Sequence, residues 1–176
     1  DTTCDCGATN VEWIPFTATT TLEPNKHYRL EGNLDLSASI HLKDAEHAGT
    51  YCLDLAGNTL RRPGNRAIIL GKSSDCPNII FNVMDSSADK SGRVEGFWGN
   101  TSYSAGVIYL YKGTTMNVYG GTFTTTNNAS AVAKNGGVFQ VSSGSTLNMF
   151  GGSIIGGTVT EQGGAVNLGG TLKMSG

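Results

Sequence analysis

Four cysteines are the most reactive side chains in this sequence. Cys4 and Cys6 are separated by one residue near the start of the chain, and Cys52 and Cys76 follow further along. An even number of cysteines is typical of disulfide bonds when a chain is exported. Because Cys4 and Cys6 are too close together to bridge each other comfortably, each would pair with Cys52 or Cys76. Such bonds would fasten the N-terminal segment onto the first repeats.

The alternative to disulfide bonds is that these four thiols bind a zinc ion. Thiolates are strong zinc ligands, and the Cys-x-Cys spacing supplies two of them at close range. Zinc motifs more often use Cys-x2-Cys, however, and here the third and fourth ligands are distant in sequence. The sequence therefore leaves three states of Cys4, Cys6, Cys52 and Cys76 open: disulfides, free thiols or a zinc centre. In each case the expected role is structural, to fix one end of the chain.

Aromatic and amide side chains form a second group with binding chemistry. Tyrosine rings pack on the C–H groups of sugars, and neighbouring amides can satisfy sugar hydroxyls. The candidate glycan contacts are Tyr109, Tyr111, Gln140, Asn167, Tyr119 and Phe150. The residues that could extend this surface are Phe97, Trp98 and Tyr103. Stacked rings and amide ladders also stabilise repeat proteins without a ligand, so a purely structural role is the alternative.

Catalytic side chains are sparse, and the sequence predicts no catalytic residue and no cofactor. Sugar-cleaving enzymes of the hydrolase type need paired carboxylates, yet between residues 106 and 176 the only acidic residue is Glu161. An earlier set of charges, including Asp54 beside Cys52, is typical of a soluble sheet surface. His27, His41 and His47 are scattered and lack the spacing of a metal motif. The chemistry of this chain therefore favours binding or structure over catalysis.

Charge and hydropathy exclude two kinds of partner. The chain has 176 residues with 12 Lys+Arg against 14 Asp+Glu, a formal net charge of −2. Without a basic excess we expect no nucleic-acid partner. No apolar run approaches the roughly 18 residues that span a bilayer, so we expect no membrane insertion from this segment.

Three similar segments define the elements that must position these side chains. They begin at Gly106, Gly137 and Gly164, and each contains short runs of alternating apolar residues separated by glycine. Alternation with a period of two is the signal of a β-strand. The positions that stay apolar, and are therefore predicted to face inward, are Ile108, Leu110, Met116, Val118, Phe139, Val141, Leu147, Met149, Val166, Leu168, Leu172 and Met174.

Repeats of this kind cannot bury an apolar face alone, but they can when they stack on one another. The sequence predicts an all-β chain, a parallel β-helix in which each turn adds one rung to three parallel sheets. Residues 1–27 are predicted to form an N-terminal cap and residues 28–176 the rungs, truncated at the C-terminal end. The Gly-Gly pairs are predicted to lie at rung corners, where a tight turn needs a positive φ.

Parts of the sequence resemble a known family. Cys4-Asp-Cys-Gly7, Trp13-Ile-Pro-Phe16, His27-Tyr-Arg-Leu30 and Cys52-Leu-Asp-Leu55 look like the entry segment of large surface proteins of gut-dwelling Gram-positive bacteria. The Gly-Gly-Thr/Ser rungs are similar to the pectate-lyase-like right-handed β-helix superfamily. The resemblance implies an extracellular or cell-surface location and a region of a longer, cell-wall-attached or secreted protein. That superfamily includes enzymes and adhesins, so the fold leaves the function open.

We therefore expect a non-enzymatic module of a cell-surface protein, of the stalk or adhesin type, that contacts surface or host glycans. One alternative is a fragment of a carbohydrate-active enzyme, a polysaccharide lyase or a glycoside hydrolase. The other is a filament subunit that associates with itself through the open end of the β-helix, where strand edges are free to pair.

Overall fold

Short strands make up most of the regular structure. The structure is a computed structural model that describes residues 3–74, 77–96, 106–126 and 132–175. Within these ranges the only helix is the short 3₁₀ turn Ala45–His47. The first strands are β1 (Trp13–Pro15), β2 (Lys26–Arg29), β3 (Leu34–Asp35), β4 (Ile40–Leu42), β5 (Gly49–Asp54), β6 (Thr59–Arg62), β7 (Ile68–Leu70), β8 (Ile79–Met84), β9 (Arg93–Gly96) and β10 (Ile108–Leu110). The later strands are β11 (Thr114–Val118), β12 (Thr122–Thr125), β13 (Val132–Asn135), β14 (Phe139–Val141), β15 (Thr146–Met149), β16 (Ser153–Ile155), β17 (Thr158–Gln162), β18 (Val166–Leu168) and β19 (Thr171–Met174).

Three parallel sheets contain most of these strands, and the chain visits them in a fixed order. Sheet A has the order β1-β2-β5-β8-β11-β15-β19, sheet B is β4-β7-β10-β14-β18, and sheet C is β3-β6-β9-β12-β16. From β2 onward the chain passes from sheet A to sheet C to sheet B and back to sheet A. The separate parallel pair β13 and β17 lies between sheets C and B along the chain. The predicted all-β fold with stacked parallel sheets is confirmed, and it is consistent with a β-solenoid.

Equivalent apolar side chains of successive repeats stack in the interior. Ile108 pairs in register with Phe139, and Phe139 pairs with Val166. Ile108 and Phe139 are fully buried, and burying an aliphatic or aromatic side chain of this size contributes roughly 1.5–3 kcal/mol. In the outermost strands, β18 and β19, the equivalent residues Leu168 and Met174 are exposed. The predicted inward column is therefore confirmed up to β15, whereas in the edge strands β18 and β19 its residues are partly or largely exposed.

Glycine pairs at two corners allow both a tight turn and a close contact between repeats. Gly136 has a φ of +62° and Gly163 a φ of +71°, as predicted for tight corners. Their neighbours Gly137 and Gly164 instead lie against each other, because a Cβ on Gly137 would collide with the backbone carbonyl oxygen of Gly164. At these two corners Gly136 and Gly163 supply the turn, and Gly137 permits close packing against the next repeat.

The N-terminal segment contacts both the interior and the outer surface. Strand β1 pairs with β2 and is the first strand of sheet A, and the Phe16 ring packs edge-on against Tyr28 in the core. Before β1, the chain folds over the outward face of sheet A, where Cys4 and Val11 pack with Cys52 and Met84. Strand pairing therefore starts inside the segment predicted as a cap.

None of the described helical structure is long and apolar enough to cross a bilayer.

Candidate functional site

A tight turn at the start of the chain presents two thiols to the outward face of sheet A. The Gly7 amide donates to the Cys4 carbonyl at 2.8 Å, and the Cys4 amide donates to the Ala8 carbonyl at 2.9 Å. Gly7 has a φ of +93°, a conformation that favours glycine. The Cys6 amide donates to the Cys4 sulfur at 3.4 Å. This local geometry explains why Cys-x-Cys-Gly folds so that both sulfurs lie on one side.

Two neighbouring strands of sheet A supply the facing residues. His27 in β2 and Cys52 in β5 are direct partners in the parallel register. Side chains alternate along a strand, and since Tyr28 and Leu53 are buried in the core, His27 and Cys52 point outward. The ladder thus places an imidazole beside a thiol under the Cys-x-Cys turn.

These four side chains converge on one point. The three sulfurs of Cys4, Cys6 and Cys52 and a ring nitrogen of His27 all lie within 4.8 Å of one another. The Cys4 and Cys52 sulfurs are 2.7 Å apart, and the Cys6 sulfur is 3.7 Å from His27 Nε2. The cluster is a Cys₃His donor set, which we call the thiol–imidazole cluster.

The sequence-based zinc hypothesis differs from this cluster in its fourth ligand. Cys76 lies outside the described residues, so its predicted part in a zinc site or a disulfide stays a prediction. Cys4, Cys6 and Cys52 carry free thiols in the structure. His27, whose spacing from His41 and His47 matches no metal motif, completes the donor set. The missed signal was that His27 and Cys52 occupy equivalent positions in successive repeats.

A chain of aromatic and charged contacts connects the His27 ring to the rest of sheet A. The Trp13 ring meets it edge-on with 5.7 Å between centroids, and the Arg29 guanidinium lies 4.6 Å from the Trp13 centroid. Arg29 Nε in turn donates to Asp54 at 2.8 Å. Asp54 is fully buried, so this series of contacts ties the imidazole to a fixed part of the sheet.

The protonation behaviour of the cluster follows from burial and from its short contacts. The hydrogen bond with Cys52 lowers the pKa of the Cys4 thiol to about 6. That hydrogen bond and burial raise the pKa of the Cys52 thiol. Burial raises the pKa of Cys6 and lowers that of His27. The imidazole is consequently favoured in its neutral form, which has the free lone pair that a metal needs.

The predicted aromatic surface on sheet B contains one stacked pair. Tyr109 in β10 and Tyr111 just after it lie with ring centroids 4.3 Å apart and an interplanar angle of 28°. The Arg66 guanidinium lies 5.1 Å from the Tyr109 centroid. Burial raises the pKa of the Tyr111 hydroxyl. Both rings are partly exposed, which leaves an edge of the pair open to solvent.

Amides continue this column along sheet B. Tyr109 pairs in register with Gln140, and Gln140 pairs with Asn167. The Asn167 side chain donates to Gln140 Oε1 at 2.8 Å, and Gln140 is only 8% exposed. The structure thus brings together Tyr109, Tyr111, Gln140 and Asn167, but it engages the two amides with each other.

The remaining predicted contacts lie on a different sheet. The rings of Tyr119 and Phe150 stack at 5.0 Å with an interplanar angle of 19° next to strands β11 and β15 of sheet A. Tyr119 packs against the group that includes Cys4 and Cys52, while Phe150 is 48% exposed. The structure therefore separates the six candidate contacts into two groups. Phe97, Trp98 and Tyr103 lie outside the described residues.

The carboxylates of Asp54 and Asp35 are engaged in hydrogen bonds and ion pairs within the fold. Asp54 accepts hydrogen bonds from Arg29, from the Ala56 amide and from the Ser86 amide and hydroxyl. On the outward face of sheet C, Asp35 pairs with Arg61. Asp54, which the sequence places among the charges of a soluble sheet surface, is therefore buried rather than presented to solvent.

Fold and site together define an all-β protein of stacked parallel sheets with a thiol–imidazole cluster on its outer surface. No family model, curated protein or solved structure matches the chain.

Proposed function

We propose that this chain is a non-enzymatic, extracellular module of a cell-surface protein, a right-handed parallel β-helix with an N-terminal cap that acts as a stalk or adhesin and contacts glycans. The observation that carries the proposal is the Tyr109–Tyr111 pair, a partly exposed aromatic stack on an outer sheet face. Aromatic rings with an open edge or face are the groups that pack against sugar C–H bonds.

The state of the carboxylates supports the non-enzymatic part of the proposal. Glycoside hydrolysis needs one carboxyl group as acid and a second as base or nucleophile, both facing the substrate. Asp54 is enclosed by four hydrogen-bond donors, and on sheet C Asp35 and Glu95 form ion pairs with arginines. Groups bound in this way are poor candidates for proton transfer.

Incubation with pectins, uronate polymers and host glycans tests turnover and retention together. We expect retention of at least one glycan class with no new reducing ends and no unsaturated product. Formation of either product would overturn the non-enzymatic assignment. Absence of both turnover and retention would overturn glycan contact and leave a spacer.

The aromatic pair has its own test. A Tyr109→Ala, Tyr111→Ala double variant should lose glycan retention because it removes both rings. The matched control is Tyr109→Phe, Tyr111→Phe, which keeps the rings and should keep most of the retention. Circular dichroism of both variants checks that the sheets remain. Retention by a folded double-alanine variant would remove this surface from the proposal, and a Phe150→Ala variant then tests the pair on sheet A.

A further inference from the structure

We propose that Cys4, Cys6, His27 and Cys52 bind one zinc ion that fastens the N-terminal segment onto the outer face of sheet A. This site is independent of glycan contact, since it lies on sheet A and the Tyr109–Tyr111 pair belongs to sheet B. It is a structural site, with four protein donors and no position left for a substrate.

The donor set is the first argument. Structural zinc sites are tetrahedral and take thiolate and imidazole ligands, with Cys₃His among the common combinations. Here all four donor atoms lie within 4.8 Å of one another. Coincidental packing explains a pair of such residues more readily than four side chains from three separate segments aimed at one point.

The distances are the second argument. Zn–S bonds of roughly 2.3 Å and Zn–N bonds of roughly 2.0–2.1 Å give a tetrahedron with S···N edges of about 3.6 Å and S···S edges of about 3.8 Å. The distance of 3.7 Å between the Cys6 sulfur and His27 Nε2 meets this requirement. The Cys4 and Cys52 sulfurs, at 2.7 Å, need to separate by about 1 Å to reach the tetrahedral edge. The zinc site therefore requires the tight turn that carries Cys4 to shift by that amount on metal binding.

The surroundings are the third argument. Metal-binding histidines and thiolates are normally oriented by neighbouring groups. The Trp13 ring packs edge-on against His27, and the Cys6 amide donates to the Cys4 sulfur. A cavity of about 380 Å³, lined in part by Cys6, His27 and Cys52, reaches the cluster and gives an ion a path of entry. On binding, any thiol that is still protonated releases its proton to solvent, and no oxidant or reductant is needed.

A Cys4–Cys52 disulfide is the competing state of the same residues. It would use two of the four donors and would leave Cys6 and His27 without a shared role. The zinc site accounts for all four, which is why we favour it.

The experiment measures metal and thiol state in the same protein. We expect one zinc per chain by elemental analysis and native mass spectrometry, after purification without chelator or after anaerobic addition of one equivalent of Zn²⁺. Replacement by Co²⁺ should give thiolate-to-cobalt charge-transfer bands and the visible bands of tetrahedral cobalt. In a Trp98→Phe background, Co²⁺ should quench the emission of Trp13, which lies beside His27.

Variants identify the ligands. His27→Ala and Cys6→Ser should lose stoichiometric zinc. The matched controls are His41→Ala, a histidine on sheet B outside the cluster, and Cys76→Ser, which tests the four-cysteine alternative; both should keep the metal. Loss of zinc in Cys76→Ser with retention in His27→Ala would overturn the donor set.

Two measurements on the unmodified chain keep the proposal testable even where a variant fails to fold. Chelator should make the segment before Val11 accessible to protease and alkylating reagent, and zinc should restore its protection. A protein that holds a Cys4–Cys52 disulfide by peptide mapping, and that takes up no metal before or after reduction, would overturn the proposal.

Discussion

The side-chain amide of Asn148 donates a hydrogen bond of 2.8 Å to Asn117 Oδ1, one repeat away on the outer face of sheet A. Asn117 donates in turn to Asn82 Oδ1 at 2.8 Å, and Asn82 donates to the Tyr51 carbonyl at 3.0 Å. The three amides therefore form a ladder with one direction of donation. This ladder realises the structural alternative that the sequence raised for stacked asparagines.

Replacing the middle amide tests the ladder. Asn117→Ala removes both side-chain links and leaves the Asn82 oxygen, in a buried residue, without its donor. We expect a loss of about 1–3 kcal/mol in the free energy of unfolding, measured by chemical denaturation. A double-mutant cycle with Asn148→Ala should show a coupling energy of about 0.5 kcal/mol or more. Strict additivity of the two changes would contradict an energetic role for the ladder.

The interior column predicts a much larger effect. Phe139 is fully buried and stacks between Ile108 and Val166, so Phe139→Ala leaves a cavity between repeats. We expect the free energy of unfolding to fall by about 3–5 kcal/mol. The control is Phe150→Ala, whose ring is 48% exposed and which should cost no more than about 1.5 kcal/mol for its lost stacking. Equal effects of the two changes would contradict the inward assignment of Phe139.

The inner column was predictable from the sequence because it rests on local information. Alternation fixes which side of a strand is apolar, and the repeated Gly-Gly corners show which strands are equivalent. Ile108 above Phe139 follows from these two facts. The same reasoning correctly placed Tyr109 in line with Gln140 and Asn167.

The thiol–imidazole cluster on sheet A was only partly predictable, because part of it depends on contacts between residues that are distant in sequence. The Cys-x-Cys turn is local, but contact between His27 and Cys52 depends on the register of β2 against β5. The early repeats differ so much in length that the sequence does not fix this register. Asp54 shows the same difficulty. Strand alternation correctly puts it on the outward side, but the ion pair with Arg29 and the covering Ser86 that bury it come from neighbouring strands and loops.

Close contact between glycines at the corners gives a third prediction. A Cβ at position 137 would meet the carbonyl oxygen of Gly164, a backbone atom that cannot move aside without distorting the next repeat. Gly137→Ala should therefore destabilise the protein by about 1–3 kcal/mol or more, seen as a lower Tm. Gly32→Ala is the control, because Gly32 has open space around its Cβ position and no positive φ. A Gly137→Ala protein as stable as the control would contradict the close approach of these repeats.

Asp85 gives the last prediction, which concerns acid stability. This buried carboxylate accepts hydrogen bonds from the Gly92 amide at 2.7 Å, and from the Gly57 amide and the Ser87 hydroxyl at 2.8 Å each. Burial by itself raises its pKa, but the bonds from Ser87, Gly57 and Gly92 outweigh that effect and lower the pKa below the ordinary value. The pKa of an aspartate in an unfolded chain is roughly 3.9. The stabilisation is therefore complete above that pH and is lost as the pH falls through the lower pKa of the folded state.

Asp85→Asn separates this contribution from general acid unfolding. The amide keeps one acceptor but faces the other donors with an NH₂ group, so we expect about 1–3 kcal/mol less stability at neutral pH. Because the variant has no carboxyl group to protonate here, its free energy of unfolding should fall less steeply below about pH 4 than that of the parent chain. Denaturant titrations at several pH values measure both effects. Asp89→Asn is the control, since that exposed carboxylate bonds locally to Ser91 and is screened by solvent. An Asp85→Asn curve parallel to the parent curve across this range would show that Asp85 does not couple folding to pH.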